Sequence, residues 1–198
     1  MALALAAVVL LGLNLRVAVA SAAALFPALQ ELLGYGPVVA ALLPTIPVLC
    51  FAFAGLATTR LMRWLGLERS MMLALVLLTA GLSIRLAPTT SMLLLGTIVA
   101  MSGLAVCNVA MPSFVRKYFP QRTAGITSLY SITMSAGAAL ASGISVPIAL
   151  QLDSPLAALG VWAIPTLATL VVVALLAIGA RREKPAVGAA GQVSPWPL

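Results

Sequence analysis

Long apolar runs separated by short polar breaks constrain this chain more than any other feature of its sequence. A helix that crosses the hydrocarbon core of a bilayer needs about 20 mostly apolar residues, and six runs of about that length occur. We therefore predict an all-α fold, an integral membrane bundle of six transmembrane helices over residues 1–184. The predicted spans are residues 2–29, 38–58, 70–86, 91–114, 123–150 and 156–180.

The composition supports lipid as the solvent. Hydrophobic residues make up 63% of the 198 residues and charged residues 8%, whereas a soluble domain is roughly 25% charged. So few charges cannot cover a water-facing surface, which argues against the alternative of a soluble helical bundle rich in alanine and leucine. The net charge of +7 comes from basic clusters that flank the apolar runs. Such clusters are typical of membrane proteins and do not indicate nucleic acid binding.

The basic residues concentrate in alternate loops, which predicts the orientation of the chain. Lys and Arg in short loops favour the cytoplasmic side. All but two of the 11 basic residues lie after spans two, four and six, and only Arg85 lies at the opposite side. We therefore predict that both termini face the cytoplasm. The tail, residues 185–198, is predicted to be disordered or to begin a linker. The cytoplasmic clusters are Arg60, Arg63, Arg69, Arg116, Lys117, Arg122, Arg181, Arg182 and Lys184.

The sequence lacks the residues that several classes of protein function require. The chain has no histidine, and its two cysteines, Cys50 and Cys107, lie within apolar runs without the spacing of a metal or redox site. We expect no enzyme activity, no cofactor, and no carboxylate proton relay within the spans. The four acidic residues all lie at span ends; they are Glu31, Glu68, Asp153 and Glu183.

Four short segments, in their order and spacing, are similar to those of one transporter family. They are residues 13–16 (LNLR), 43–51 (LPTIPVLCF), 65–69 (LGLER) and 107–112 (CNVAMP), the last leading into Phe119-Pro120. With these segments the chain resembles the N-terminal half of a major facilitator superfamily transporter, in the cyanate-transporter-like branch that includes nitroimidazole exporters. One departure is the first basic loop, where Gly55 is followed by Thr59-Arg60 without the aspartate that the superfamily usually carries there.

The resemblance implies a function and partners. These transporters consist of two six-helix halves that move against each other around a central site, and this chain would supply one half. The implied substrate is a small, cyanate-like anion. The implied partners are the bilayer of the bacterial cell membrane and a second six-helix half, either a missing C-terminal half or another copy. Two alternatives stay open: half of an exporter of nitroimidazole-type drugs, and an inactive truncated fragment or interaction subunit.

Arg16 is the first candidate for substrate binding because it lies near the middle of span one. A charge at that depth costs about 2.5–3.5 kcal/mol on insertion scales, and arginine cannot lose its proton there. No acid lies within a span, so an unpaired Arg16 would favour an anion. The alternative is that Arg16 binds carbonyls or water and serves packing. The other isolated arginine, Arg85, is predicted to reach lipid headgroups; the alternative is that it acts as an outer gate or attracts anions.

Three further residues are candidates for substrate binding: Asn14, Asn108 and Tyr130. Asn14 points about 200° away from Arg16 around the helix, so it either faces the site or bonds a neighbouring helix. Asn108 precedes Pro112 by four residues, and the proline leaves the Asn108 carbonyl without its helical donor. Asn108 either lines the ligand path or forms an interhelical amide bond, and Tyr130 either bonds a polar ligand or packs.

Overall fold

A computed structural model describes the backbone of residues 1–182 and the side chains of residues 1–179 except that of Leu56. The predicted tail, residues 185–198, lies outside the described residues. Seven α-helices follow one another, and residues 1–182 contain no strand. The helices are α1 (Ala2–Leu33), α2 (Pro37–Leu65), α3 (Leu67–Ile84), α4 (Thr90–Tyr118), α5 (Thr123–Gln151), α6 (Pro155–Val161) and α7 (Ala163–Arg182).

Six segments have the length and apolar composition of membrane spans, which confirms the predicted bundle. Helices α1 to α4 each contain one, the fifth is Pro120–Gln151, which includes α5, and α6 and α7 together form the sixth, Pro155–Gly179. Within the sixth span, a break at Trp162 separates α6 from α7. Pro165 accounts for the break, since its missing N–H leaves the carbonyl of Val161 without an intrahelical donor.

The helices begin and end where the sequence offers caps. Gly34 takes a left-handed conformation (φ 62°), and its N–H donates to the carbonyl of Gln30 at the end of α1. Helix α2 then begins at Pro37, where a missing N–H costs nothing. Thr89 and Ser154 precede α4 and α6, and each hydroxyl accepts a backbone N–H three residues later. These caps satisfy donors that the helix starts would otherwise leave unpaired.

The core lies along α1 and α4. Helix α1 packs along α5, and α3 packs along α4. The second pair approaches closely at Gly103, where a methyl group would overlap the carbonyl oxygen of Ala74 and lie 2.8 Å from the amide nitrogen of Leu78. Helix α2 is the least covered of the six spans, so space remains between it and the α1–α4 core.

One ion pair links the start of α3 to the end of α4. Lys117 Nζ donates to Glu68 Oε1, and the Tyr118 hydroxyl donates to the same oxygen at 3.0 Å. Within the described part of the chain this is the only ion pair. Glu68 is therefore occupied at this end of the bundle and does not neutralise either arginine of the spans.

Candidate functional site

Arg16 lies on the side of α1 that no other helix covers. Its side chain is exposed, and among the described residues it has neither a hydrogen-bond partner nor a carboxylate oxygen within 4.0 Å. The uncovered side continues with the exposed residues Ala23 and Gln30, because positions seven residues apart share a helix face. Arg16 is thus an unpaired cation in the middle of a span, on an open face of the bundle.

The exposed sides of the bundle differ in polarity. The exposed side of α7 is lined by large aliphatic residues, as expected of a surface that contacts lipid chains. The exposed side of α1 carries a guanidinium group, which hydrocarbon does not solvate. The α1 side therefore faces water or another protein surface. The exposed residues of α7 are Ile164, Leu167, Val171, Leu175 and Ile178.

Asn14 points away from Arg16 into the contact between α1 and α7. It is 3% exposed, and its Nδ2 donates to Thr169 Oγ1 at 2.8 Å and to the Pro165 carbonyl at 3.2 Å. Its Oδ1 accepts from the Thr166 hydroxyl at 2.9 Å. Of the two interpretations from the sequence, Asn14 therefore bonds a neighbouring helix and does not face the site.

Asn108 and Tyr130 are both half-buried, on α4 and α5. The Asn108 side chain forms no hydrogen bond with any described residue. Tyr130 packs against the apolar cluster that includes Leu11 of α1. Within residues 1–179, no hydrogen bond joins any two of the four predicted site residues.

A cavity of about 260 Å³ opens between α1, α2 and α4. Val19 and Ala23 line its α1 wall, and both lie on the side of α1 that carries Arg16, one to two turns further along. The walls are apolar except for Thr97 and Arg85. No three His, Cys, Asp or Glu side chains cluster within the described residues, so the cavity offers a cation and a hydroxyl rather than ligands for a metal.

The prediction that Arg85 reaches lipid headgroups is wrong. Arg85 is 1% exposed and turns inward at the end of α3. The reason is space on α4: a side chain at Gly96 would lie 2.8 Å from Cγ of Arg85, so the glycine makes room for the arginine stem. Thr97, the next residue, binds the guanidinium. In the sequence, only the Gly96-Thr97 pair could have indicated a buried Arg85. The position of that pair opposite Arg85 depends on how α3 and α4 pack.

Comparison with known proteins identifies the family, although no family model matches the chain. The chain is 36% identical to the 2-nitroimidazole transporter of Escherichia coli (strain K12) over 147 residues, 74% of this chain and 37% of that protein. It is 34% identical to the uncharacterized transporter YycB of Bacillus subtilis (strain 168) over 146 residues, 74% of this chain. It is also 30% identical to the cyanate transport protein CynX of E. coli over 163 residues, 82% of this chain and 42% of that protein.

The chain belongs to the cyanate and nitroimidazole branch of the major facilitator superfamily. The resemblance inferred from its short segments is confirmed, and with six apolar helices it is a multi-pass membrane protein. The chain spans between 36% and 42% of the length of these major facilitator relatives.

Proposed function

We propose that this chain forms one six-helix half of a bacterial small-anion transporter and works by alternating access against a second half. The observation that carries the proposal is Arg16, an exposed cation in the middle of α1 with no carboxylate of the described residues within 4.0 Å. An arginine there is costly unless it meets water or an anion. A transported anion supplies the missing charge each time the site is occupied. Small anions fit the name of one relative, a cyanate transport protein.

The remaining candidate residues take different roles in this proposal. Asn108, half-buried and without a hydrogen bond to any described residue, offers an amide to the anion from α4. Tyr130 contributes a hydroxyl at the edge of the α1–α5 contact. Asn14 binds no substrate and instead holds α1 against α7 through Thr166 and Thr169. Arg16 thereby keeps a fixed position on a rigid helix.

The partner is a surface that covers the open side of α1. A guanidinium and an amide, Arg16 and Gln30, lie exposed on that side, and lipid chains do not satisfy such groups. A second six-helix half, encoded separately or provided by another copy of this chain, would bury the polar side of α1 and enclose the site. The site is complete only in that assembly.

Export of nitroimidazole-type drugs is the second candidate function. An apolar cavity of about 380 Å³ lies between α2 and α4, lined among others by Ile46, Phe53 and Ile98. Its lining suits an uncharged aromatic molecule better than an anion, and one relative is named a 2-nitroimidazole transporter. The test measures uptake of both compounds by the assembled transporter. Transport of 2-nitroimidazole but not of cyanate, with no inhibition of drug transport by cyanate, would favour this function.

The proposed orientation places both termini in the cytoplasm. We expect reporter domains fused after Glu31 and Asp153 to be active outside the cell membrane, and those fused after Trp64 and Lys117 to be active in the cytoplasm. The basis is the clustering of Arg and Lys beside the second pair of positions. Alkaline phosphatase and green fluorescent protein fusions measure the two sides independently. A cytoplasmic signal after Asp153 contradicts the six-span orientation.

Reconstitution tests the proposed function itself. Purified chain in liposomes, held monomeric by dilution, is expected to take up no cyanate, because one half cannot enclose a site. Co-reconstitution with the C-terminal half of the cyanate transport protein is expected to give uptake that saturates with cyanate concentration. That C-terminal half alone serves as the control. Saturable cyanate uptake by the monomeric chain contradicts the proposal. Absence of cyanate uptake by the two halves together, once a pull-down shows that they form a complex, contradicts it as well.

A further inference from the structure

Arg85 is a buried cation that the proposed Arg16 site does not use. Its Nε donates to Thr97 Oγ1 at 3.1 Å and its Nη1 to the Ala18 carbonyl at 3.3 Å. A guanidinium carries five N–H donors, so three have no acceptor among the described residues. Among the described residues, no carboxylate oxygen lies within 4.0 Å of it. The charge is therefore held in place by two neutral oxygens and is not neutralised.

The guanidinium borders the cavity of about 260 Å³ between α1, α2 and α4. Phe26, Pro44 and Met101 are among the walls, and beside Arg85 the only polar side chain is the hydroxyl of Thr97. That hydroxyl donates to the Leu93 carbonyl at 2.6 Å, so its oxygen stays oriented to accept from Arg85. The cavity thus presents a fixed, positively charged donor in apolar surroundings.

We infer that Arg85 and this cavity form a second anion-binding site, which takes small, weakly hydrated monovalent anions. Apolar walls cannot replace a strongly held hydration shell, which excludes sulfate and phosphate. One guanidinium neutralises one charge, so a divalent anion would leave a net charge buried. The planar, weakly hydrated guanidinium suits linear or planar anions, to which it offers two parallel N–H groups.

The second site stands independently of the assignment of Arg16. Arg85 is 1% exposed and reaches α1 at the Ala18 carbonyl, whereas Arg16 is exposed on the open face of the same helix. The Arg85 cavity is formed within this chain, so it needs no second half.

The test is anion binding to the purified 198-residue chain in dodecyl maltoside, an uncharged detergent. Radiolabelled thiocyanate is the probe, measured by equilibrium dialysis with excess unlabelled thiocyanate as the blank. We expect saturable binding that azide and nitrate displace and sulfate does not. Arg85→Gln is expected to weaken binding by at least about tenfold, since a charge-assisted pair is lost. The matched control, Arg63→Gln on an exposed arginine in the last turn of α2, should leave it unchanged.

Further variants keep the inference testable if Arg85→Gln does not fold. Val48 is 65% exposed on α2 and lines the same cavity, so Val48→Glu places a carboxylate there that should displace thiocyanate while Arg85 stays. Loss of binding in Arg16→Gln alone assigns the anion to the Arg16 site and overturns the inference.

The remaining outcomes of the binding experiment also test the inference. Wild-type affinity in folded Arg85→Gln or in Val48→Glu overturns the inference and leaves Arg85 as a link between α3, α1 and α4. Absence of saturable thiocyanate binding to the folded wild-type chain overturns it as well. Displacement of thiocyanate by phosphatidylglycerol, with tighter binding of the lipid, would make a headgroup phosphate the occupant and would contradict the choice of a small free anion.

Discussion

Arg16→Ala is expected to abolish measurable anion transport in the assembled transporter without impairing membrane insertion. Hydrogen bonds to a charged group contribute about 1.5–3 kcal/mol, so the affinity of the Arg16 site should fall by about 10- to 100-fold. Insertion should become easier, because a charge near the middle of α1 is removed. Arg16→Lys should restore little activity where the anion is held by two parallel N–H groups, which lysine cannot offer. Uptake of cyanate and the yield of folded protein are measured on the same preparations.

Asn14→Ala is the matched control, two residues away on α1. It breaks bonds from α1 to α7 at Thr166 and Thr169, but both hydroxyls keep a carbonyl acceptor in their own helix. Interhelical hydrogen bonds in membranes average about 0.6 kcal/mol, so folded yield should fall modestly while the affinity for cyanate stays. The reverse pattern, low yield for Arg16→Ala with wild-type uptake by the folded fraction, would show that Arg16 serves packing.

Gly103→Val is expected to be strongly destabilising. A side chain there overlaps the carbonyl oxygen of Ala74 and crowds the amide nitrogen of Leu78. These are backbone atoms of α3, so no rotamer change relieves the overlap and the two helices must separate. Overpacking costs typically about 1–3 kcal/mol and occasionally more, and we expect the upper end. Unfolding of the purified chain by dodecyl sulfate in mixed micelles measures the change.

Gly143→Val on α5 is the control for the α3–α4 contact. It is the same substitution inside a helix, but no atom lies within 4 Å of the added Cβ. Valine is slightly better than glycine in a helix interior, so stability should change by less than about 1 kcal/mol. Equal losses for the two variants would mean that α3 and α4 do not approach as closely as described.

The sequence alone determined the properties that follow from the solvent. Six apolar runs predicted six spans because a helix in lipid must satisfy its own backbone and present apolar side chains over the bilayer thickness. The position of Arg16 in the middle of α1 followed from residue count, as did its lack of an acid partner within the spans. The order of four short segments was sufficient to predict the family. None of these inferences depends on how one helix packs against another.

The packing of the helices decided what each polar side chain does. Asn14 lies against α7 because the threonines of that helix lie opposite it, and helical angle alone could not tell α7 from a cavity. Arg85 is buried because Gly96 of α4 leaves room for its stem, although its position at the end of a span predicted contact with headgroups. Such partners are distant in sequence, so the choice between pairing and exposure is made only when the helices meet.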